Sequence, residues 1–223
     1  MRKAGLFGLL ALIFSSIVLI FWQEEMRYSL PTPIPEDYVP IKIGACPNLP
    51  ITQVNNTSKV GSLLHFFNPD CPCSRFNAKH FKYLVAHFSD KIDFHIVIPE
   101  GASIYKTQKL LGSQNPIHED KHKSWSKASG VYSSPQAVIL DQDASLYYRG
   151  NYNKARFCTF PGSNYVEISL NLLLRGSEAP IWEFYASRSY GCELPKEEKY
   201  YSFLPWNLPT DKQTSPWNTK DLP

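Results

Sequence analysis

The stretch that decides the fold is residues 63–76, LLHFFNPDCPCSRF. It predicts a short apolar strand, a tight turn that holds Cys71 and Cys73, and then a helix. After the turn, apolar residues recur with the spacing of one helical face: Phe76, Phe81, Leu84, Val85 and Phe88. The order strand, cysteine turn, amphipathic helix is the core of the predicted domain.

The turn has the chemistry of a helix start. If Cys71 is the N-cap, Pro72 falls at the first helical position, where its fixed φ suits the helix. The Cys71 sulfur would then accept the backbone N–H of Cys73 or Ser74. Those donors and the positive end of the helix dipole favour a thiolate, so Cys71 is a candidate nucleophile. The alternative is an inert, buried cysteine pair.

The run from Phe66 to Cys71 resembles the segment that leads into the C-x-x-C site of the thioredoxin superfamily. The resemblance places Cys71 on the attacking cysteine and Ser74 on the resolving one, with Cys73 between them. Asp70 replaces the usual aromatic residue, and its negative charge opposes ionisation of Cys71. The sequence also allows a Cys71–Cys73 disulfide, whose ring would be small.

A second resemblance lies in residues 130–141, GVYSSPQAVILD. Redoxins of this superfamily have a cis-proline loop that faces the cysteines, and the step Ser134-Pro135 is similar to it. An antiparallel hairpin follows in the family, as residues 138–150 predict here. The resemblance implies an α/β, thioredoxin-like fold with a central mixed sheet flanked by helices. It also implies that Ser134 and Pro135 offer a backbone edge to the substrate.

The domain is predicted to lie between appendages. Residues 1–28 contain the uncharged apolar run Ala4–Trp22, long enough for a membrane-spanning signal anchor. Arg2 and Lys3 precede it, which predicts a single-pass protein of the bacterial inner membrane with its N-terminus in the cytoplasm. A cleaved signal peptide is the alternative, although no small-residue cleavage site follows.

The other boundaries follow from composition. Residues 29–44 are rich in proline and predict an extended spacer between the membrane and a periplasmic domain. Residues 45–178 form the thioredoxin-like domain, and residues 179–223 form an aromatic, proline-rich extension. In that extension, Ile181–Ser187 is predicted to be a strand or extended segment docked on the domain, and the last fifteen or so residues are predicted to be loose. A partner-binding role for the aromatic tail is the alternative.

Five cysteines leave an odd thiol in an oxidising compartment. If Cys71 and Cys73 form the redox pair, the simplest remaining disulfide is Cys158–Cys192. A role for Cys46, Cys158 or Cys192 as a resolving thiol is the alternative.

Three histidines are candidates for chemistry. His65 stands six residues before Cys71, where many thioredoxins have a buried acid, so proton transfer is one interpretation and a structural hydrogen bond is the other. His118 and His122 are four residues apart and would share a helical face able to hold a metal, or else be solvated.

The small net charge of +3, without a basic stripe, gives no support for nucleic-acid binding. The sequence therefore predicts a membrane-anchored thiol–disulfide oxidoreductase without a cofactor, acting on protein thiols and disulfides. Cys71 would attack and Cys73 would resolve. One alternative is a thiol peroxidase. The other is a copper-handling assembly protein, because a Cys-x-Cys pair of soft thiolates suits Cu(I).

Overall fold

A central five-stranded mixed sheet organises the molecule in the computed structural model, which describes residues 2–23, 30–50, 59–154, 161–182 and 184–195. The strand order is β3-β2-β1-β5-β6, with β1, β2 and β3 parallel and β5 and β6 antiparallel to their neighbours. The strands are β1 Gly61–Phe66, β2 Ile92–Pro99, β3 Ile117–Asp120, β5 Gln136–Asp141 and β6 Leu146–Gly150. A separate two-stranded ladder joins β4 Ser133–Ser134 to β7 Cys192–Glu193.

Helices connect and flank these strands. In chain order they are α1 Arg2–Phe21, α2 Pro72–Phe88, α3 Ile104–Leu111, α4 Ser124–Ser129, α5 Tyr165–Leu174 and α6 Phe184–Ser187. The predicted strand and helix on either side of the cysteine turn are confirmed as β1 and α2, and the predicted hairpin is confirmed as β5 and β6.

The core lies on both faces of β1, which is buried along its whole length. Leu63 and Phe67 pack on one face with side chains of α2 and α5. Leu64 and Phe66 pack on the other face with Val138 and with Trp125 of α4. This two-sided burial explains why residues 63–67 are apolar on both faces, with His65 as the one polar residue among them.

The predicted membrane segment forms helix α1, and large apolar side chains such as Phe7 and Phe14 are exposed on it. Within the described part of the chain, however, no helix is both long enough and apolar enough to cross a membrane.

Hydrogen bonds connect residues 41–45, at the end of the predicted spacer, to strand β6, although most side chains of residues 30–50 are exposed. The Gly44 N–H donates to the Leu146 carbonyl and the Leu146 N–H donates to the Ala45 carbonyl, at 2.8 and 2.9 Å. The Arg149 guanidinium donates to the Ile41 carbonyl at 3.2 Å.

The C-terminal extension differs from its prediction. Phe184–Ser187 forms a single helical turn, α6, instead of a docked strand. Its Ala186 is fully buried, and the Asn151 N–H donates to the Ala186 carbonyl at 2.8 Å. A Cβ on Gly150 would lie 2.1 Å from that carbonyl oxygen, so only glycine permits this approach. The extended segment comes later, at β7. The predicted loose end lies outside the described residues.

Candidate functional site

Cys71 occupies the N-cap of α2, as predicted, with extended backbone angles and Pro72 at the start of the helix. The predicted capping bond from the helix N–H groups to the sulfur is wrong, because no side-chain cap bond forms. The sulfur is instead joined covalently to another cysteine. The local sequence therefore sets the position of Cys71, and a distant segment decides what its sulfur does.

That partner is Cys192 of β7, 121 residues away along the chain. The Cα atoms of Cys71 and Cys192 are 6.2 Å apart. The expected Cys158–Cys192 pairing is therefore wrong, and Cys158 itself lies outside the described residues. The Cys71–Cys73 disulfide that the sequence allows is not the bond observed, because β7 brings Cys192 onto the helix start.

Cys73 is a free thiol beside this bond. The sulfur atoms of Cys71, Cys73 and Cys192 all lie within 4.8 Å of one another. Cys71 is 3% exposed and Cys73 is 2% exposed, whereas Cys192 is only half-buried. The site is thus a group of three sulfurs in which Cys192 is the most exposed residue.

The Ser134-Pro135 peptide bond is cis, as the resemblance implied, and it lies opposite the helix start. The Cys71 Sγ is 3.7 Å from the Ser134 carbonyl oxygen. The sequence thus correctly places Ser134 and Pro135 beside Cys71. The backbone edge that they were expected to offer to a substrate is occupied by the chain itself, because β7 pairs antiparallel with Ser133 and Ser134.

Hydrogen bonds from two other segments hold β7 in place. Thr32, only 2% exposed, donates its N–H to the Ser189 carbonyl at 2.9 Å and its hydroxyl to the Gly191 carbonyl at 3.2 Å. The Leu194 N–H donates to the Tyr132 carbonyl at 3.2 Å. Gly191 lies so close to the proline loop that a Cβ there would be 2.3 Å from the Ser134 oxygen. Cys192 is therefore positioned by contacts that do not depend on the disulfide.

Ser74 and Asp70 complete the turn. Ser74, which the resemblance placed on the resolving cysteine, is fully buried and accepts the Asn68 N–H on its hydroxyl at 3.2 Å. It therefore stabilises the turn. Asp70 forms an exposed ion pair with Lys106 at 2.9 Å, so a positive charge accompanies the negative charge that was expected to oppose ionisation of Cys71.

His65 is enclosed by the side chains packed around its ring, and we call this enclosure the His65 pocket. Its ring stacks on Phe81 at 4.2 Å, and its Nδ1 is 2.6 Å from the Tyr152 hydroxyl. The ring is fully buried, and its Nε2 has no hydrogen-bond partner among the described residues. Burial, with a smaller contribution from His80, lowers the pKa of His65 to about 3. His65 is therefore neutral at pH 7, and its predicted role in proton transfer stays a prediction.

His118 and His122 do not share a helical face, so the alternative of a metal site on these two residues loses its premise. His118 lies in β3, where its Nε2 is 3.0 Å from Nδ1 of His95. His122 has a left-handed backbone, and its N–H donates to Glu100 at 3.0 Å. Burial lowers the pKa of His118 to about 4, which fits a neutral, hydrogen-bonded ring.

The sequence pointed only weakly to Cys192 and not at all to Thr32. The signal for Cys192 was the odd number of cysteines, which left a resolving thiol among Cys46, Cys158 and Cys192 as an alternative. No local pattern links Thr32 to the site, because its contacts join two segments more than 150 residues apart.

Two solved structures resemble this chain over most of its length. An uncharacterized conserved protein from Geobacillus kaustophilus superposes with a TM-score of 0.60 at 18% identity, covering 75% of this chain and 99% of that one. A hypothetical protein from Sinorhizobium meliloti 1021 superposes with a TM-score of 0.57 at 16% identity, covering 70% and 96%. These likenesses concern the fold alone.

A secreted disulfide oxidoreductase from Mycobacterium tuberculosis is more distant, with a TM-score of 0.35 at 16% identity over 40% of this chain and 69% of that one. A TM-score this low supports no inference about this chain. None of the curated proteins matches the sequence.

The mixed sheet, the cysteine turn at the start of α2 and the facing cis-proline loop make the fold thioredoxin-like, as the sequence predicted. Residues 46–193 match the family described as "Domain of unknown function (DUF6436)". This match spans the cysteine turn, the proline loop and Cys192, and it shows that the chain belongs to the DUF6436 family.

Proposed function

We propose that this protein is a thiol–disulfide oxidoreductase whose working bond is Cys71–Cys192. The observation that carries the proposal is this disulfide at the start of a 17-residue helix, beside the free thiol of Cys73 and opposite a cis-proline loop. A thiolate released at Cys71 is stabilised by the positive end of the helix, which favours reversible opening of the bond.

The substrates in this proposal are thiols and disulfides of proteins or of small molecules. Reduction of the bond transfers two electrons and leaves thiols at Cys71 and Cys192, while two external thiols become one disulfide. Cys73, within 4.8 Å of both sulfurs, is a third thiol that can exchange with either of them. Cys192 thus takes the place that the sequence predicts for Cys73 as the disulfide partner of Cys71.

A redox titration of the full chain tests the proposal. The protein is equilibrated in glutathione buffers, its thiols are alkylated, and its mass is measured. We expect a transition of two thiols in the unchanged protein and in Cys73→Ser, and no transition when Cys71→Ser or Cys192→Ser is combined with Cys73→Ser. Cys46→Ser is the matched control, because Cys46 is an exposed free thiol. A transition that persists without Cys192 and disappears without Cys73 would contradict the proposed bond.

We also propose that the domain works in the bacterial periplasm, where disulfides persist. The support is the disulfide itself together with the charge pattern around Ala4–Trp22. The alkylation state of Cys71 and Cys192 in intact cells, with fractionation of periplasm, membrane and cytoplasm, tests this location. A protein found reduced in the cytoplasmic fraction would contradict it.

The three sulfurs favour Cu(I) binding as a second candidate function. Thiolates are soft ligands that select Cu(I), and three of them around one metal, at about 2.3 Å from each, would lie about 4 Å apart. In the oxidised protein the three sulfurs already lie within 4.8 Å of one another. Reduction of the disulfide would free all three of them for such an arrangement.

Competition with a coloured Cu(I) chelator tests this candidate on the reduced full chain. We expect one tightly bound Cu(I), which Cys73→Ser weakens at least tenfold and Cys46→Ser leaves unchanged. Equal affinity in Cys73→Ser would contradict a three-thiolate site, and it would leave the proposed redox bond untouched.

A further inference from the structure

We propose that Cys192, and not Cys71, is the sulfur that meets external thiols and disulfides. This inference rests on the proposed function and assigns its substrate-facing atom. It reverses the roles that the sequence predicts, in which the cysteine at the helix start attacks the substrate.

Burial gives the first reason. Cys71 is 3% exposed, whereas Cys192 is half-buried on a two-residue strand that continues into exposed Glu193. A thiolate must reach a disulfide sulfur to attack it, so access selects between the two sulfurs of the bond. In the oxidised protein Cys192 is therefore the more exposed residue of the bond.

The second reason is that strand β7 already occupies the backbone edge of the proline loop. Backbone pairing of an incoming strand with Ser133 and Ser134 would bring a substrate sulfur to Cys71, but β7 already pairs there. Thr32 and Tyr132 also hold residues 189–194 through hydrogen bonds that involve no sulfur. We expect these bonds to keep β7 on the proline loop when the disulfide opens, so that external groups approach from the side of Cys192 in both redox states. The fitting partner is a small thiol or an exposed cysteine, and not an extended strand laid on Ser133 and Ser134.

The third reason is the leaving group. Attack on Cys192 expels the thiolate of Cys71, which lies at the N-terminus of α2. A thiolate that is stabilised there leaves faster than one on the short strand β7.

Two successive exchange steps reduce the Cys71–Cys192 bond. An external thiolate bonds to the Cys192 sulfur, the Cys71–Cys192 bond breaks, and Cys71 leaves as a thiolate. A second external thiolate then attacks the external sulfur of the mixed disulfide, which releases the Cys192 thiolate and an external disulfide. The protein disulfide is reduced by two electrons, and two external thiols are oxidised. The reverse reaction begins with Cys192 attacking an external disulfide and ends with Cys71 resolving the mixed disulfide.

The decisive experiment traps the first mixed disulfide in the oxidised, unmutated full chain. The protein is mixed with reduced glutathione, quenched in acid within a fraction of the turnover time, alkylated and digested with trypsin. Arg75 and Arg188 lie between the two cysteines, so Cys71 and Cys192 end in different peptides. The same experiment on Cys73→Ser removes any transfer of glutathione through the third thiol.

We expect glutathione on the Cys192 peptide in at least tenfold excess over the Cys71 peptide, in both proteins. Glutathione found first on the Cys71 peptide would overturn this inference, and it would leave the proposed function intact. No adduct on either peptide, together with no two-thiol transition in the redox titration, would overturn both.

A second measurement compares the two thiols in reduced protein that also carries Cys73→Ser. When Cys71→Ser is added, the remaining Cys192 should form a mixed disulfide with oxidised glutathione at least ten times faster than Cys71 does when Cys192→Ser is added instead. Equal rates, or a faster Cys71, would contradict the assignment.

Discussion

The cysteine site and the His65 pocket both bury titratable groups next to the strand β1, yet only one of them is open to solvent. In the cysteine site, Cys192 connects buried Cys71 to the surface. In the pocket, His65 is enclosed by Phe81 and Tyr152 and is fully buried. Burial alone therefore does not identify a reactive group, and a path to solvent is needed as well. We expect the first region to govern exchange chemistry and the second to govern stability.

The sharpest test of this comparison is the pH dependence of stability. The pKa of His65 is lowered from 6.5 to about 3 in the folded protein, so the unfolded chain binds more protons between these values. The contribution of neutral His65 to the free energy of unfolding is therefore fully present above pH 6.5, and it is lost as the pH falls toward 3. His65→Gln should remove roughly 3–5 kcal/mol of this pH-dependent loss, measured by urea unfolding across the range.

His118, with a pKa of about 4, acts in the same direction, so some of the pH dependence should remain in His65→Gln. His87→Gln is the control, because His87 lies on the exposed side of α2. Glutathione exchange at pH 7 should be unchanged in His65→Gln. A tenfold loss of exchange without a loss of folding would restore the proton-transfer role and break the comparison.

The hydrogen bond to His65 gives the next largest effect. Tyr152→Phe removes the hydroxyl 2.6 Å from Nδ1 and leaves that nitrogen buried without this partner. We expect a loss of about 1–3 kcal/mol in the free energy of unfolding at pH 7. Tyr105→Phe, at a position 74% exposed, should cost almost nothing. An equal loss in both variants would show that the pocket hydrogen bond contributes no specific stability.

The sequence predicted the His65 pocket less well than it predicted the strand that carries it. Strand β1, the turn and α2 follow from apolar spacing and from Pro72, which are local signals. Tyr152 lies 87 residues from His65, and no local pattern relates the two. The same distinction holds in the cysteine site. Cys71, Pro72, Ser134 and Pro135 could be identified from short motifs, whereas the partner of Cys71 depends on how residues 188–195 return across the proline loop.

The return of residues 188–195 across the proline loop could not be predicted from the sequence, and the reason is physical. The β7 ladder is only two residues long, so it has no recognisable alternation of apolar and polar side chains. Its position is decided by backbone hydrogen bonds to Thr32 and Tyr132 and by the missing side chain of Gly191. Such contacts leave no periodic trace in the chain. The odd cysteine count was therefore the strongest available clue.

Gly191 offers a way to perturb the cysteine site without touching a sulfur. In Gly191→Ala the new Cβ would meet the Ser134 carbonyl oxygen, so β7 must move away from the proline loop. This shift is easier when the disulfide is open, so the oxidised form should be destabilised. We expect the reduction potential of the bond to rise by about 30 mV, equivalent to about 1.4 kcal/mol, in glutathione titrations. Gly176→Ala is the control, because it has a positive φ but open space around it. The same shift in both variants would contradict a specific role for the approach of β7.

The smallest expected effect concerns the charges beside Cys71, and it tests direction rather than size. Asp70 precedes Cys71 and is paired with Lys106 at 2.9 Å, with both side chains more than half exposed. Because solvent and salt screen such charges, each should have only a small effect on the ionisation of the reduced Cys71 thiol. Asp70→Asn should favour the Cys71 thiolate, since it removes a negative charge, and Lys106→Ala should disfavour it. The pH dependence of iodoacetamide alkylation, followed on the Cys71 peptide of the reduced Cys73→Ser protein, measures both shifts.

Shifts of opposite sign in the two variants, which become smaller in high salt, would support an electrostatic origin and a thiolate at the start of α2. Shifts of the same sign would mean that both substitutions act by disturbing the turn, and the advantage of Cys71 as a leaving group would then have to come from burial alone.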